Sequence, residues 1–170
     1  MSDLVYRAMT FAMEAHKDQK RKYTNEPYFL HLAEVAGIVS SVLEDRTEYM
    51  RDIMLATAWL HDTMEDIGTQ YRTLKELFGV VVAEDVYSLS DLEEGNRAER
   101  KAQSRERLSH CLEEVQTIKC ADLISNTPSI VQHDAKFAEV YLEEKRLLLK
   151  VLTKADRRLW NIAAKQCGLI

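Results

Sequence analysis

The stretch "IMLATAWLHDTMED" (residues 53–66) joins an apolar run to four groups able to ligate a metal or move a proton: His61, Asp62, Glu65 and Asp66. At about 100° per residue, with His61 set at 0°, Glu65 falls near 40°, Asp62 near 100° and Asp66 near 140°. Leu60, Met64, Ile53 and Ala56 fall on the opposite side, between about 220° and 300°. One helix over about 48–66 is therefore expected, apolar on its core side and charged on the other. Burying unpaired charge is costly, and carboxylates at a helix C-terminus oppose the macrodipole. No Lys or Arg stands within this stretch to offset the crowding of three carboxylates. On spacing alone two readings stay open: an acidic helix end in solvent, or a donor set around a divalent cation, which would then be the largest local charge.

Outward from this stretch the chain keeps a helical period. Residues 2–16 open on Ser2 and Asp3 and place Leu4, Ala8, Phe11, Ala12 and Ala15 on one face. A polar break, "KDQKRKYTNE" (17–26), leads to Pro27, suited to the first turn of a helix running to about Leu43. "TLKE" (73–76) has the capping-box pattern for a short helix closed by Gly79. Further helices are expected at about 80–89, 97–110, 113–126 and 136–167, the last broken near Thr153–Ala155. Only "VVV" (80–82) is β-branched enough to suggest a strand, and Asn-Gly and Asp-Gly are absent. Five Gly and two Pro in 170 residues fall well below the usual share of roughly 12% for the two together. The expectation is an all-α, single compact domain over 1–170, with a C-terminal helix at about 155–167 packed on it.

Composition narrows the function. Net charge is −5, from 23 basic and 28 acidic residues, which argues against a nucleic-acid binder with an overall positive field. Cys111, Cys120 and Cys167 are odd in number and form no CxxC pair, as expected of free thiols in a reducing compartment. No basic-then-apolar leader opens the chain, and no apolar run approaches the roughly 18 residues of a membrane span. A soluble, cytoplasmic protein without nucleic-acid or membrane partners is expected, its oligomeric state left open.

Two further stretches bear on the metal reading. "PYFLHLAEVA" (27–36) sets His31 in an otherwise apolar helical face, and "IKCADLISNT" (118–127) does the same for Asp122. Singly, each suits a hydrogen-bonded core residue. As a set, the order His, His-Asp, Asp, with Glu-Asp three residues after the doublet, resembles the HD-domain metal-dependent phosphohydrolases. "AHKDQKRKYTNEPYFLHLAEVA" resembles the RelA/SpoT-type hydrolase opening, in which Gln-x-Arg-Lys and Pro-Tyr precede the first ligand. "WLHDTMED" and "IKCADLISN" resemble that family's His-Asp-x-x-Glu-Asp and Lys-x-Ala-Asp-x-x-x-Asn. The resemblance runs from about residue 5 to 150 and is to the stand-alone small alarmone hydrolases, including the metazoan SpoT homologs.

That resemblance implies an HD-domain helical bundle and one divalent ion, usually Mn²⁺, held by His31, His61, Asp62 and Asp122. It implies Glu65 and Asp66 as the pair that positions and deprotonates the attacking water, and a small-molecule nucleotide as the substrate. Arg21 and Lys22 would line the nucleotide pocket, Asn126 would contact the sugar side, and Ser129 and Tyr141 fall where further pocket residues stand. Arg97, Arg100 and Lys101, in the basic helix "NRAERKAQSRER" (96–107), have two open readings: contact with distal phosphates, or pairing with Glu94, Glu99 and Glu106 at helical spacing. His16 is expected to support the loop, and His110 and His133 to be surface residues. The loop "YTNE" lacks the family's Gly, and Leu32 stands where many relatives have Pro after the first ligand.

The activity so implied is removal of the 3′-pyrophosphate of a (p)ppGpp-type nucleotide. The alternatives are the same chemistry on (p)ppApp or on the 2′-phosphate of NADPH, an HD-type nucleoside 5′-monophosphatase, and a non-enzymatic nucleotide sensor. Glu65–Asp66 directly after the doublet and the "QKRK" loop argue against the monophosphatase. The full ligand set with Glu65–Asp66 disfavours the sensor, since a pure binder has no need of a water-activating pair.

Overall fold

The computed structural model describes residues 1–170, which divide into two compact units, 1–90 and 91–170. All regular structure is helical, and the β pairing is confined to one antiparallel bridge between Lys20 and Pro27. No helix is long and apolar enough to cross a membrane.

The first unit is built from α1 (Asp3–Ala15), α2 (Phe29–Ser40), α3 (Glu48–Leu60), α4 (Thr63–Ile67), α5 (Tyr71–Phe78) and α6 (Val80–Leu89). Ser2 caps α1 by accepting from Val5 N, and Thr47 caps α3 by accepting from Met50 N, so each helix begins where a side chain satisfies an orphan amide. α3 is the central element, with α1, α2 and α6 packed against it. Ala8 and Ala12 of α1 and Ala56 of α3 are fully buried in one cluster with Leu32, Leu60, Leu74 and Val82. Residues this small at a shared interface let helix backbones approach closely.

The helix expected over 48–66 is interrupted at the His-Asp doublet. Thr63 Oγ1 donates to Leu60 O at 2.7 Å, and His61 Nδ1 donates to Ala58 O at 2.8 Å. These side chains satisfy carbonyls at the end of α3 and allow the chain to turn. Asp62 takes φ −98°, ψ −3°, in the bridge region where turn and active-site residues are often found. Glu65 and Asp66 therefore stand in the first turn of a new helix, and the macrodipole objection to them falls away.

Other boundaries of this unit differ as well. Pro27 lies ahead of α2, because Tyr28 N–H is taken by Gln19 O at 3.0 Å and residues 27–28 belong to the loop. "TLKE" is no capping box: α5 starts three residues earlier, behind Gln70, whose side chain makes no cap. The capping box of this chain is Asn96 with Glu99. Gly79 does close α5, as expected, and at φ +89°, ψ 165° it occupies backbone space open essentially to glycine alone. No atom lies within 4 Å of a Cβ placed there, so Gly79→Ala isolates backbone strain. It is expected to lower stability by about 1–3 kcal/mol, read as a shift of the urea midpoint. An unchanged midpoint would contradict the strain.

The second unit contains α7 (Arg97–His110), α8 (Glu113–His133), α9 (Ala135–Leu149) and α10 (Arg157–Gln166). α8 packs against both α9 and α10, and α7 against α9. Its core includes Leu108, Ile118, Cys120, Leu123, Leu149, Leu152 and Leu159. α8 runs on past the expected end at 126, through Pro128. Thr127 Oγ1 returns a hydrogen bond to Leu123 O at 2.7 Å just before the proline. The expected break in the last helix is present between α9 and α10. There Gln116 Oε1 accepts from Lys154 N at 2.8 Å and Thr117 Oγ1 from Asp156 N at 2.9 Å. Buried polar side chains of α8 thus pair the amides that the break releases.

Candidate active site

In the first unit the fold brings together His31, His61 and Asp62. His31 leads the buried stripe of α2, with Leu32, Val35, Ala36 and Val39; His61 ends α3. Both imidazoles are buried, with ring centroids 5.3 Å apart. His31 Nε2 lies 3.4 Å and His61 Nε2 3.0 Å from the same oxygen, Asp62 Oδ2. Tyr28 Oη donates to that oxygen at 2.7 Å. Burial pushes the Asp62 carboxyl up, but the facing imidazoles, His61 foremost and then His31, hold it well below the usual carboxylate range.

The donor chemistry fits a divalent ion. Because Ala58 O can only accept, His61 Nδ1 carries a proton, so Nε2, the nitrogen facing Asp62 Oδ2, is the one that would give up its proton and ligate a cation. A ligating histidine is typically held this way, its second nitrogen bonded to a carbonyl. Two imidazole nitrogens and a carboxylate oxygen converging within a few ångströms form a mixed N/O donor set suited to a first-row divalent metal.

Glu65 and Asp66 are both exposed, one turn beyond the doublet. Asp66 Oδ2 accepts from Gln19 Nε2 at 2.8 Å. Gln19 belongs to the loop between α1 and α2, which folds back on itself: Arg21 N bonds Glu26 O at 2.9 Å, and Asn25, at φ +56°, bonds Arg21 O at 3.0 Å. Arg21 is largely buried in this loop, with Nη1 3.9 Å from Glu34 Oε2. Lys22 is exposed beside Tyr23, Nζ 3.2 Å from its hydroxyl. Gln19 and Tyr28 carry no signal of their own in the sequence, although both stand within the quoted Gln-x-Arg-Lys and Pro-Tyr motifs.

In the second unit Asp122 is buried on α8, its Oδ1 accepting from Asn126 Nδ2 at 2.6 Å and its Oδ2 3.0 Å from Lys119 Nζ. Ser129 is half-buried one turn further on, and its carbonyl accepts from His133 Nδ1 at 2.8 Å. Tyr141 is buried, its hydroxyl 3.2 Å from Thr127 Oγ1, and burial pushes its phenol up. Arg97 and Lys101 pair with carboxylates other than the Glu94, Glu99 and Glu106 expected from helical spacing. Arg97 grips Glu144 through two bonds of 2.7 and 2.8 Å, and Lys101 bonds Asp91 at 2.5 Å. Glu99 closes the cap and Glu106 meets His110, while Arg100 is exposed. His110 and His133 are surface residues, as expected. Lys145 is pulled down to about 8 by burial, then by Lys119 and Lys101. That crowding of ammonium groups was not visible in the sequence, because the three lysines stand on three different helices.

Comparison with known proteins adds the family. The HD-domain model matches residues 8–127. A zebrafish (Danio rerio) protein named guanosine-3′,5′-bis(diphosphate) 3′-pyrophosphohydrolase MESH1 is 33% identical over 125 residues, covering 72% of this chain and 67% of that one. The guanosine-3′,5′-bis(diphosphate) 3′-pyrophosphohydrolase of Aquifex aeolicus is 30% identical over 168 residues, 97% of this chain but 22% of that longer protein. A solved structure of a metazoan ortholog of SpoT, described as hydrolysing ppGpp and playing a role in starvation responses, matches with TM-score 0.86 at 23% identity. It covers 100% of this chain and 98% of its own, a likeness of fold.

Proposed function

The chain belongs to the HD-domain family, and from that membership we propose that it is a metal-dependent 3′-pyrophosphohydrolase of (p)ppGpp-type nucleotides. The observation that carries the reading is the convergence of His31 Nε2 and His61 Nε2 on Asp62 Oδ2, with Glu65 and Asp66 one turn beyond. Relatives at 30% and 33% identity bear the name of that activity. Residues 1–170 are read as one HD-type domain, because the family match runs across the 90/91 boundary between the two units.

The resident metal is a divalent ion, and Mn²⁺ is the identity proposed, supported by the mixed imidazole and carboxylate donors. His31, His61 and Asp62 would hold it, and the Lys-x-Ala-Asp motif supports Asp122 as the fourth ligand. Such an ion supplies a lower pKa for water and neutralisation of charge developing on phosphorus. Glu65 and Asp66 orient the attacking water and accept its proton. Arg21 and Lys22 bind the anionic substrate by charge-assisted hydrogen bonds. Asn126 faces the sugar, with Ser129 and Tyr141 as further pocket residues and Arg100 toward the distal phosphates. Attack of water on the phosphorus joined to the 3′ oxygen breaks that O–P bond, releasing pyrophosphate and leaving a 3′-hydroxyl on the 5′-phosphorylated nucleoside. Free thiols at Cys111, Cys120 and Cys167 support a reducing, cytoplasmic setting.

The test is a panel of ppGpp, ppApp, NADPH and a nucleoside 5′-monophosphate incubated with Mn²⁺-loaded protein, products separated by anion exchange. Pyrophosphate from ppGpp is expected to form fastest; orthophosphate from the monophosphate as the main product would overturn the reading. Changing both Arg21 and Lys22 to Ala is expected to raise KM strongly with metal content unchanged. Unaltered KM would return "KDQKRK" to the status of a solvated loop.

A further inference from the structure

Three residues of the first unit, His16, Gln19 and Asp66, form a hydrogen-bonded chain whose significance rests on the water-activating role proposed for Asp66. The carboxylate of Asp66 only accepts, so the 2.8 Å contact with Gln19 is made by the amide nitrogen, Nε2. That fixes the other end of the amide: Oε1 turns to His16 Nδ1 at 2.5 Å. An amide oxygen also only accepts, so His16 carries its proton on Nδ1. His16 is 1% exposed at the C-cap of α1, anchored by its own N–H to Ala12 O at 3.0 Å. Its ring stacks on Tyr28, centroids 5.1 Å apart and planes at 19°.

The remaining nitrogen, His16 Nε2, is buried without a hydrogen-bond partner. Leaving a buried polar atom unmatched costs stability, so an apolar side chain would fill this space better if filling were all that mattered. What the imidazole adds is the directed Nδ1–H. Asp66, by contrast, stands exposed on a five-residue helix, where an untethered side chain samples several rotamers.

We propose that Gln19 is a positioning residue for Asp66, with His16 locking the Gln19 amide so that Asp66 presents a fixed carboxylate, its second oxygen turned to the attacking water. Neither residue touches substrate in this assignment; both act through Asp66.

The experiment compares Gln19→Ala, Gln19→Glu and Asp66→Asn in the full chain, reading kcat, KM and metal content with Mn²⁺ bound and the nitrogen NMR signals of His16 with diamagnetic Mg²⁺ in its place. Gln19→Ala is expected to lower kcat about 10–100-fold, the usual loss when a supporting hydrogen-bond partner is removed from an active site. KM and metal content should stay near wild type, and the Nδ1–H signature of His16 should weaken. Gln19→Glu, equal in length but presenting a carboxylate to Asp66, should do no better than Ala. If Asp66→Asn is impaired while Gln19→Ala turns over normally, the positioning role is wrong. It is equally wrong if Gln19→Ala loses metal and activity together, which is the behaviour of a purely structural residue. A fully active Asp66→Asn overturns the role of Asp66 itself, and the positioning role of Gln19 with it.

Discussion

His61→Ala is expected to lose the metal ion and with it essentially all hydrolytic activity. His61 is 2% exposed, its Nδ1 bonded to Ala58 O and its Nε2 3.0 Å from Asp62 Oδ2, so no neighbouring side chain can replace its nitrogen without moving the end of α3. A ligand that binds only the folded state stabilises it by mass action, by about 2.7 kcal/mol at a hundred times Kd. Wild-type protein should therefore melt higher when Mn²⁺ is added, and the variant should not. That difference separates metal loss from the cavity left by the deleted ring, which lowers the melting temperature with or without the ion. Elemental analysis of the purified variant is the direct check; full metal occupancy would remove His61 from the ligand set.

Glu65→Gln should behave in the opposite way. The side chain keeps its length and hydrogen-bonding capacity but cannot accept a proton at neutral pH. Metal content is expected to remain near wild type while turnover falls by about 10²–10⁴, the usual contribution of a positioned general base. Exposure of Glu65 in the first turn of α4 leaves it free of any core-packing role, so stability should change little. Loss of metal from Glu65→Gln as complete as from His61→Ala would show that the division of the doublet and the following pair is wrong.

The helices that were legible were those whose signals are local. α6 and α7 fall at 80–89 and 97–110 as expected, since the helical period of each is contained within its own segment. The break at His61–Asp62 was not legible. It depends on two side chains, His61 and Thr63, turning back onto backbone carbonyls, and a periodicity has no means of registering that competition. "TLKE" misled for a related reason: the pattern is there, but α5 has already begun behind Gln70. Pro128 lies inside α8 rather than beyond it, because one missing amide is tolerated where the helix is packed between α9 and α10.

The candidate site divides in the same manner. His31 stood out in the sequence as a polar residue on an apolar helical face, and His61, Asp62, Glu65 and Asp66 as a cluster whose order resembles a family's; the structure brings His31, His61 and Asp62 together. The contacts of Gln19, Tyr28 and His16 were hidden, since they depend on the loop folding back through the Tyr28–Gln19 and Arg21–Glu26 backbone bonds. The partners of the basic helix were hidden too. Arg97 reaches Glu144 across 47 positions of sequence, a pairing that helical spacing cannot anticipate.

The most direct measurement is metal removal and return on the wild-type chain with ppGpp as substrate. Protein stripped with a chelator should release no pyrophosphate; added Mn²⁺ should restore release, with pyrophosphate and GDP appearing in equal amounts. Equal release of pyrophosphate by the stripped protein, or orthophosphate as the product after Mn²⁺ is returned, would contradict the account.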